Sequence, residues 1–271
     1  MNTDVPILQL KNVDFGFKDT SLFKNLSLTV HSKEFIGVLG PNGSGKSTLI
    51  KLMGGLLKPQ SGCIKLKGMD INTLTARKRA RTIALVPQQT TIYHPFTVRE
   101  IVMMGRYPHS PIIGFESDED LLICEEAMKI AGISHLASRQ FDHISGGEKQ
   151  RAVLGSAIAQ KPELLLLDEP TASLDIRFQL VILDVIKWLN SKENITVIAA
   201  VHDLNLASRF FDRIVMIDNE HVVISGKTDD ILTLENIERI FGVMVKEIPM
   251  NIPNRNYYIP DLKELDKRSG I

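Results

Sequence analysis

FIGVLGPNGSGKSTL, residues 35–49, passes from a short apolar run through a glycine-rich loop into an amphipathic helical pattern. The loop fits G-x-x-x-x-G-K-[ST] at Gly40, Gly45, Lys46 and Ser47, with the strand before it and the helix after it that the pattern requires. Its chemistry follows from the residue types. Gly40, Gly43 and Gly45 lack a Cβ and can take positive φ, so consecutive backbone N–H groups can turn inward around phosphate oxygens. The helix starting near Lys46 adds the positive end of its dipole and unpaired first-turn donors. Lys46 would place a point charge on the β- and γ-phosphates, and the Ser47 hydroxyl can ligate Mg²⁺. The loop implies nucleotide binding and leaves the reaction open.

At 271 residues the chain can bury a sizeable core as one large or two small domains. Lys plus Arg equals Asp plus Glu, 32 each, so no global field attracts nucleic acid, and no nucleic-acid partner is expected. Two distant cysteines, Cys63 and Cys124, give neither a disulfide framework nor zinc spacing. The N-terminal MNTDVPILQL lacks the basic start and apolar core of a signal peptide. The longest apolar runs fall well short of the roughly 18–20 residues of a membrane helix.

Apolar patterning on either side of Asn12, and the alternation of Leu26, Leu28 and Val30, predict an antiparallel N-terminal sheet. Phe15 and Phe17 lie there, and an aromatic ring shortly before a phosphate loop can either stack on adenine or pack in the core. Arg77 to Arg81, RKRAR, reads as a solvated helix end. Apolar residues at helical spacing from Thr91 to about His143, broken by a loop at Tyr107 to Glu119, predict a helical insertion in an α/β core. Later strands are expected at Ile214 to Ile217 and His221 to Ser225, joined by an Asp218-Asn219 turn. Ile248 to Ile271, with three prolines and many charges, reads as a partly ordered tail.

Three further stretches carry chemistry. Ser145 suits an N-cap with Glu148 as its capping-box partner, and Gly146 and Gly147 expose N–H groups at that helix start. The apolar strand Leu164 to Leu167 delivers Asp168 and Glu169 to its C-terminal end, where open α/β sheets place their chemistry. Two adjacent buried carboxylates are costly unless a metal or a water uses them. Asp168 can hold Mg²⁺, and Glu169 can orient and deprotonate an attacking water. The strand Thr196 to Val201 ends likewise at His202.

Together these residues resemble the nucleotide-binding subunit of an ATP-binding cassette (ABC) transporter, from about Leu8 to Val245. Gly40, Pro41, Asn42, Gly43, Ser44, Gly45, Lys46, Ser47 and Thr48 look like its Walker A motif, and Leu164 to Glu169 like Walker B ending in the catalytic glutamate. Gln88 matches the Q-loop glutamine that contacts Mg²⁺, and Ser145, Gly146, Gly147 and Glu148 match the signature motif. Ser173 to Asp175 match the D-loop, His202 the switch histidine, and Phe17 the adenine-stacking aromatic. The signature reads I-S-G-G-E where L-S-G-G-Q is more usual. The resemblance implies an α/β P-loop NTPase (ABC ATPase) core with an N-terminal antiparallel β subdomain and an inserted α-helical subdomain at about 91–160, the cassette spanning 1–245 and a tail 246–271.

It implies ATP and Mg²⁺ as cofactors, with Glu169, His202 and Lys46 catalytic, and Ser47, Gln88 and Asp168 at the metal. Asp175 and the signature would serve ATP across an interface with a second copy, in a head-to-tail dimer. It also implies integral membrane permease subunits, an extracytoplasmic substrate-binding protein as indirect partner, and a peripheral place on the cytoplasmic face of the membrane. Val102 to His109, VMMGRYPH, resembles ATPases of importers for iron siderophores, haem and cobalamin, iron siderophore being favoured. Zinc and manganese importers share GRY sequences, and a soluble ABC ATPase remodelling a non-membrane partner is the competing class. Arg106 and Tyr107 are expected on the membrane-facing surface of the insertion.

Overall fold

The computed structural model describes residues 5–18, 20–90, 92, 94–110, 117–172, 174–218, 223–249 and 256–261. The first half runs β1 (Leu8–Phe17), β2 (Thr20–Val30), β3 (Phe35–Leu39), α1 (Lys46–Met53), β4 (Ser61–Leu66), β5 (Met69–Asp70), α2 (Ala76–Ala80), β6 (Ile83–Val86), α3 (Val98–Met103) and α4 (Asp118–Ile130). The second half runs α5 (Gly146–Ala159), β7 (Leu164–Asp168), α6 (Ile176–Glu193), β8 (Thr196–Ala200), α7 (Leu204–Phe210), β9 (Arg213–Ile217), β10 (Val223–Lys227), α8 (Thr228–Ile231), α9 (Leu234–Phe241), β11 (Val245–Pro249) and β12 (Asn256–Pro260).

A six-stranded sheet in the order β10-β9-β3-β8-β7-β6 is parallel except for β10. Its central strands β3, β7 and β8 are buried at every position and almost wholly apolar, because both faces are covered. On β3, β7 and β8, Phe35, Leu39, Leu165, Leu167, Val197 and Ala199 enter one core shared with the helical insertion, α6 and α7. The alternate residues Ile36, Val38, Leu164, Leu166, Ile198 and Ala200 enter a second core with α1 and the antiparallel sheet β2-β1-β4-β5. The parallel register brings the C-terminal ends of β3, β6, β7 and β8 to one edge, and with them Gly40, Gln88, Asp168, Glu169 and His202. β1 is one strand. Asn12, at φ 48°, sits in its bulge between Leu10 and Val13.

The insertion comprises α3, α4 and α5. Arg106, expected on its surface, is instead buried at 7% exposure. Its Nε donates to Asp120 Oδ1 at 2.7 Å and its Nη1 to the Ala159 carbonyl at 2.8 Å, which ties the turn after α3 to both other helices. The Arg106 hydrogen bond holds the Asp120 carboxyl below the usual carboxylate range. Gly105 permits this closeness, since a Cβ there would lie 2.0 Å from the Ser156 carbonyl oxygen. Arg106→Ala leaves a buried carboxylate unpaired and is expected to cost about 3–5 kcal/mol of folding stability. Chemical denaturation checks this. Tyr107, 79% exposed, should change stability by less than about 0.5 kcal/mol on replacement by Ala.

The RKRAR cluster also departs from the expected solvated helix end. Arg77 and Arg81 donate to the Pro108 carbonyl at 3.1 and 2.9 Å, and Arg77 also donates to the Ser110 carbonyl. The guanidinium groups therefore pin α2 to the segment after α3. β9 and β10 pair antiparallel as expected. Asn219 of the expected turn, His221 and Val222 of the expected strand, and the tail from Leu262 lie outside the described residues. Part of the expected tail is regular: β11 and β12 pair antiparallel, and Tyr258 is buried among the first core's residues.

Candidate functional site

At the end of β3 the chain turns through Gly43 (φ 83°) and Gly45 (φ 103°), the latter capping α1. A Cβ on Gly45 would press within 3.0 Å of Leu22 and Phe23, so sterics and backbone both demand glycine there. Lys46 is almost fully buried, and its Nζ donates to the carbonyls of Gly40 (2.9 Å) and Pro41 (3.0 Å). Burial pulls its pKa down, while Glu169 and Asp168 nearby oppose the shift. Ser44 Oγ is buried without a hydrogen-bond partner. An orphaned hydroxyl in a loop at a helix N-terminus fits an anion whose oxygens it would meet.

Ser47 Oγ donates to Asp168 Oδ1 at 2.8 Å. Burial pushes the Asp168 carboxyl up, the Ser47 bond pulls it down and the Glu169 charge pushes it up again. Among the described residues no cluster of three or more His, Cys, Asp or Glu could hold a metal alone. A hydroxyl and one carboxylate beside a phosphate cradle fit Mg²⁺, which takes one or two carboxylates plus substrate phosphates.

Glu169 lies at φ 51°, a left-handed conformation uncommon for a residue with a Cβ, and is 8% exposed. Gln88 Nε2 donates to its Oε2 at 2.5 Å, and His202 Nε2 contacts its Oε1. The ends of β6, β7 and β8 thus meet on one carboxylate.

A cleft of about 290 Å³ is lined by Phe17, Leu22, Glu169 and, from the loop, Asn42, Gly43 and Gly45 to Thr48. Phe15 and Phe17 divide the two aromatic roles. Phe15 is buried in the core, and Phe17, 55% exposed, meets its ring edge to face at 5.0 Å while lining the cleft. Leu22 is a cleft residue that the sequence reading missed, because only the β1–β2 pairing carries it there. A larger groove of about 750 Å³ between α4 and α6, beside Trp188, holds none of the cradle groups.

The remaining predicted residues gather elsewhere. Ser145 caps α5, and its backbone N–H and hydroxyl donate to Glu148 Oε2 at 2.8 and 2.7 Å. The serine hydroxyl is the chief cause of the lowered Glu148 pKa. Gly147 is buried against Phe178, and Asp175 caps α6 by accepting from the Phe178 N–H at 3.1 Å. Ser145 and Gly146 are exposed beside this pair, as is Ile176 at 76%. None of Ser145 to Glu148 or Asp175 lines the cleft at the cradle. Ser173 lies outside the described residues.

A glycine loop between the central strand of a parallel sheet and a helix, with an Asp-Glu pair ending the next strand but one, defines a P-loop nucleoside triphosphatase. Residues 23–172 match the family model described as ABC transporter. The chain belongs to the ABC transporter family and has the fold of its ATPase cassettes. It is 36% identical to the ferric enterobactin transport ATP-binding protein of Escherichia coli, over 90% of each chain. It is 40% identical to the hemin import ATP-binding protein of Gloeobacter violaceus, over 82% of each. The cobalamin import ATP-binding protein of Halobacterium salinarum is 38% identical over 88% of this chain, which spans 59% of that relative's length. Among solved structures, an inward-facing metal-chelate type ABC transporter matches with TM-score 0.84 and 28% identity, over 96% of this chain and 99% of that one. A dimeric cassette bound to ADP and Pi matches with TM-score 0.72 and 29% identity, over 82% and 98%.

Proposed function

We propose that this chain binds ATP with Mg²⁺ and hydrolyses it to power import of a metal chelate, an iron siderophore before haem or cobalamin, through a membrane permease. The observation carrying the chemistry is Glu169, held in a left-handed conformation with both carboxylate oxygens engaged, beside the Ser47–Asp168 pair. The relatives named for ferric enterobactin, hemin and cobalamin support the cargo class.

In this reading the loop from Gly40 to Thr48 holds the phosphates with its N–H groups, Lys46 adds its charge and Phe17 stacks on the base. Ser47, Asp168 and Gln88 would hold Mg²⁺, which supplies charge neutralisation on the phosphate oxygens. Glu169 takes the proton of the attacking water. His202 orients that carboxylate, and Gln88 links it to the insertion that begins a few residues later. Movement of the insertion that draws Gln88 away would free Oε2. Ser145, Gly146, Gly147 and Glu148, with Asp175, serve the ATP of a second copy across a two-fold interface, the arrangement that places one copy's signature on the other's cradle. ATP, by touching both copies, shifts the population toward the closed dimer.

No helix of the described residues is long and apolar enough to cross a membrane. In this reading the chain works from the cytoplasmic face through permease subunits, with the cargo chosen by them and by an extracytoplasmic binding protein. Affinity capture of the tagged Glu169→Gln protein from its own cells, in mild detergent with ATP, tests this. A polytopic membrane protein in equal amount is expected, and iron-siderophore loading of the associated binding protein should stimulate the wild-type complex's ATPase. Recovery of a ribosome or a soluble complex in its place would overturn the transport reading.

A further inference from the structure

The C-terminal hairpin is fastened to the helix that follows His202. The Asn205 side chain accepts from the Tyr258 N–H at 2.7 Å and donates to the Tyr258 carbonyl at 3.2 Å, so a single amide satisfies both main-chain groups of one β12 residue. Three residues on, Ser208 Oγ donates to the Asn256 carbonyl at 2.9 Å. The hairpin is itself anchored. Tyr258 is buried, its hydroxyl donates to the Leu232 carbonyl at 2.7 Å, and the Asp261 N–H donates to the Met244 carbonyl at 2.9 Å. Burial pushes the Tyr258 hydroxyl up to about 12, so it remains a donor throughout the neutral range.

The other end of this linkage is Glu169. α7 has seven residues, and its N-cap Asp203 accepts from the N–H groups of Asn205 (2.7 Å) and Leu206 (3.1 Å). His202 immediately precedes that cap and contacts Glu169 Oε1 with a side chain that is 41% exposed. Phe210 and Phe211 bury the far end of the helix in the core. The N-terminal turn, from which His202 projects, is fixed by the Asp203 cap and by the Asn205 clamp. An imidazole that must meet a carboxylate at hydrogen-bond distance is sensitive to where its helix starts.

We propose that Asn205 is a positioning residue for ATP hydrolysis: by fastening α7 to β12 it sets His202 against Glu169, and the C-terminal hairpin is thereby a working part of the ATPase. This rests on the roles of Glu169 and His202 given above. The test compares wild type, Asn205→Ala, His202→Ala and the double variant, as full chains, for kcat, KM and ATP dissociation constant. Asn205→Ala should lower kcat about tenfold with KM and affinity within about twofold of wild type. In the His202→Ala background it should lower kcat no further, because its whole effect passes through the imidazole. Tyr258→Phe, which releases the hairpin from Leu232 without touching α7, should lower kcat by a smaller factor, again only while His202 is present. Independent multiplication of the Asn205 and His202 effects would overturn the proposal, as would a wild-type kcat for Asn205→Ala beside a depressed one for His202→Ala. A wild-type kcat for His202→Ala would instead overturn the role assigned to the histidine.

Discussion

Glu169→Gln is expected to slow ATP turnover by about 10²-fold or more while ATP binding persists, the loss that follows when a general base is removed. The substitution conserves shape, and the new carbonyl can still accept from Gln88 as Glu169 Oε2 does now at 2.5 Å. An amide cannot take a proton from water, so the chemical step alone suffers. With hydrolysis blocked and both ATP molecules retained, the closed dimer should accumulate, visible on size exclusion as a doubling of mass with ATP and as monomer without it. Hydrolysis at the wild-type rate would move the water-activating role to another residue.

Lys46→Ala should weaken ATP binding by about 10- to 10²-fold, toward the upper end because the charge is buried, since a charge-assisted contact to phosphate contributes roughly 1.5–3 kcal/mol. Lys46 is only 4% exposed, and its ammonium rests on the Gly40 and Pro41 carbonyls. Its removal strips the loop of its one side-chain cation and leaves the two carbonyls to repel phosphate. Calorimetric titration with ATP measures the effect, and a parallel melt shows whether the loop still folds. Unchanged affinity in a folded variant would contradict the cradle.

What was legible in the sequence was local. The glycine loop follows directly on the strand that feeds it, the Asp168-Glu169 pair likewise stands at the end of its own apolar strand, and each motif is read within its own few residues. The uninterrupted apolar runs of β3, β7 and β8 reflect burial on two faces, which composition reports directly. Arg106 was misplaced because its partners, Asp120 and the Ala159 carbonyl, lie 14 and 53 residues away and no periodicity predicts such a meeting. The RKRAR cluster looked solvated for the same reason, its acceptors being backbone carbonyls of the segment after α3. Pro249 and Pro260 disguised the terminal hairpin. Both sit at strand ends, where a missing N–H is tolerated, and they read in sequence as breakers. Asn205 gave no signal at all, since its two bonds go to main-chain atoms of a residue 53 positions later.

The central claim is that the cradle of one copy is completed by the signature of another. Its most direct measurement mixes two inactive variants, Lys46→Ala, which lacks the cradle cation, and Ser145→Arg, which blocks the exposed cap of α5. Each alone should be inactive. Mixed one to one and allowed to exchange, they form heterodimers carrying one intact composite site, and activity should return to about a quarter of wild type for independent sites in a two-fold dimer. If mixing restores nothing although the variants exchange, each chain completes its own site, and the two-copy mechanism is contradicted.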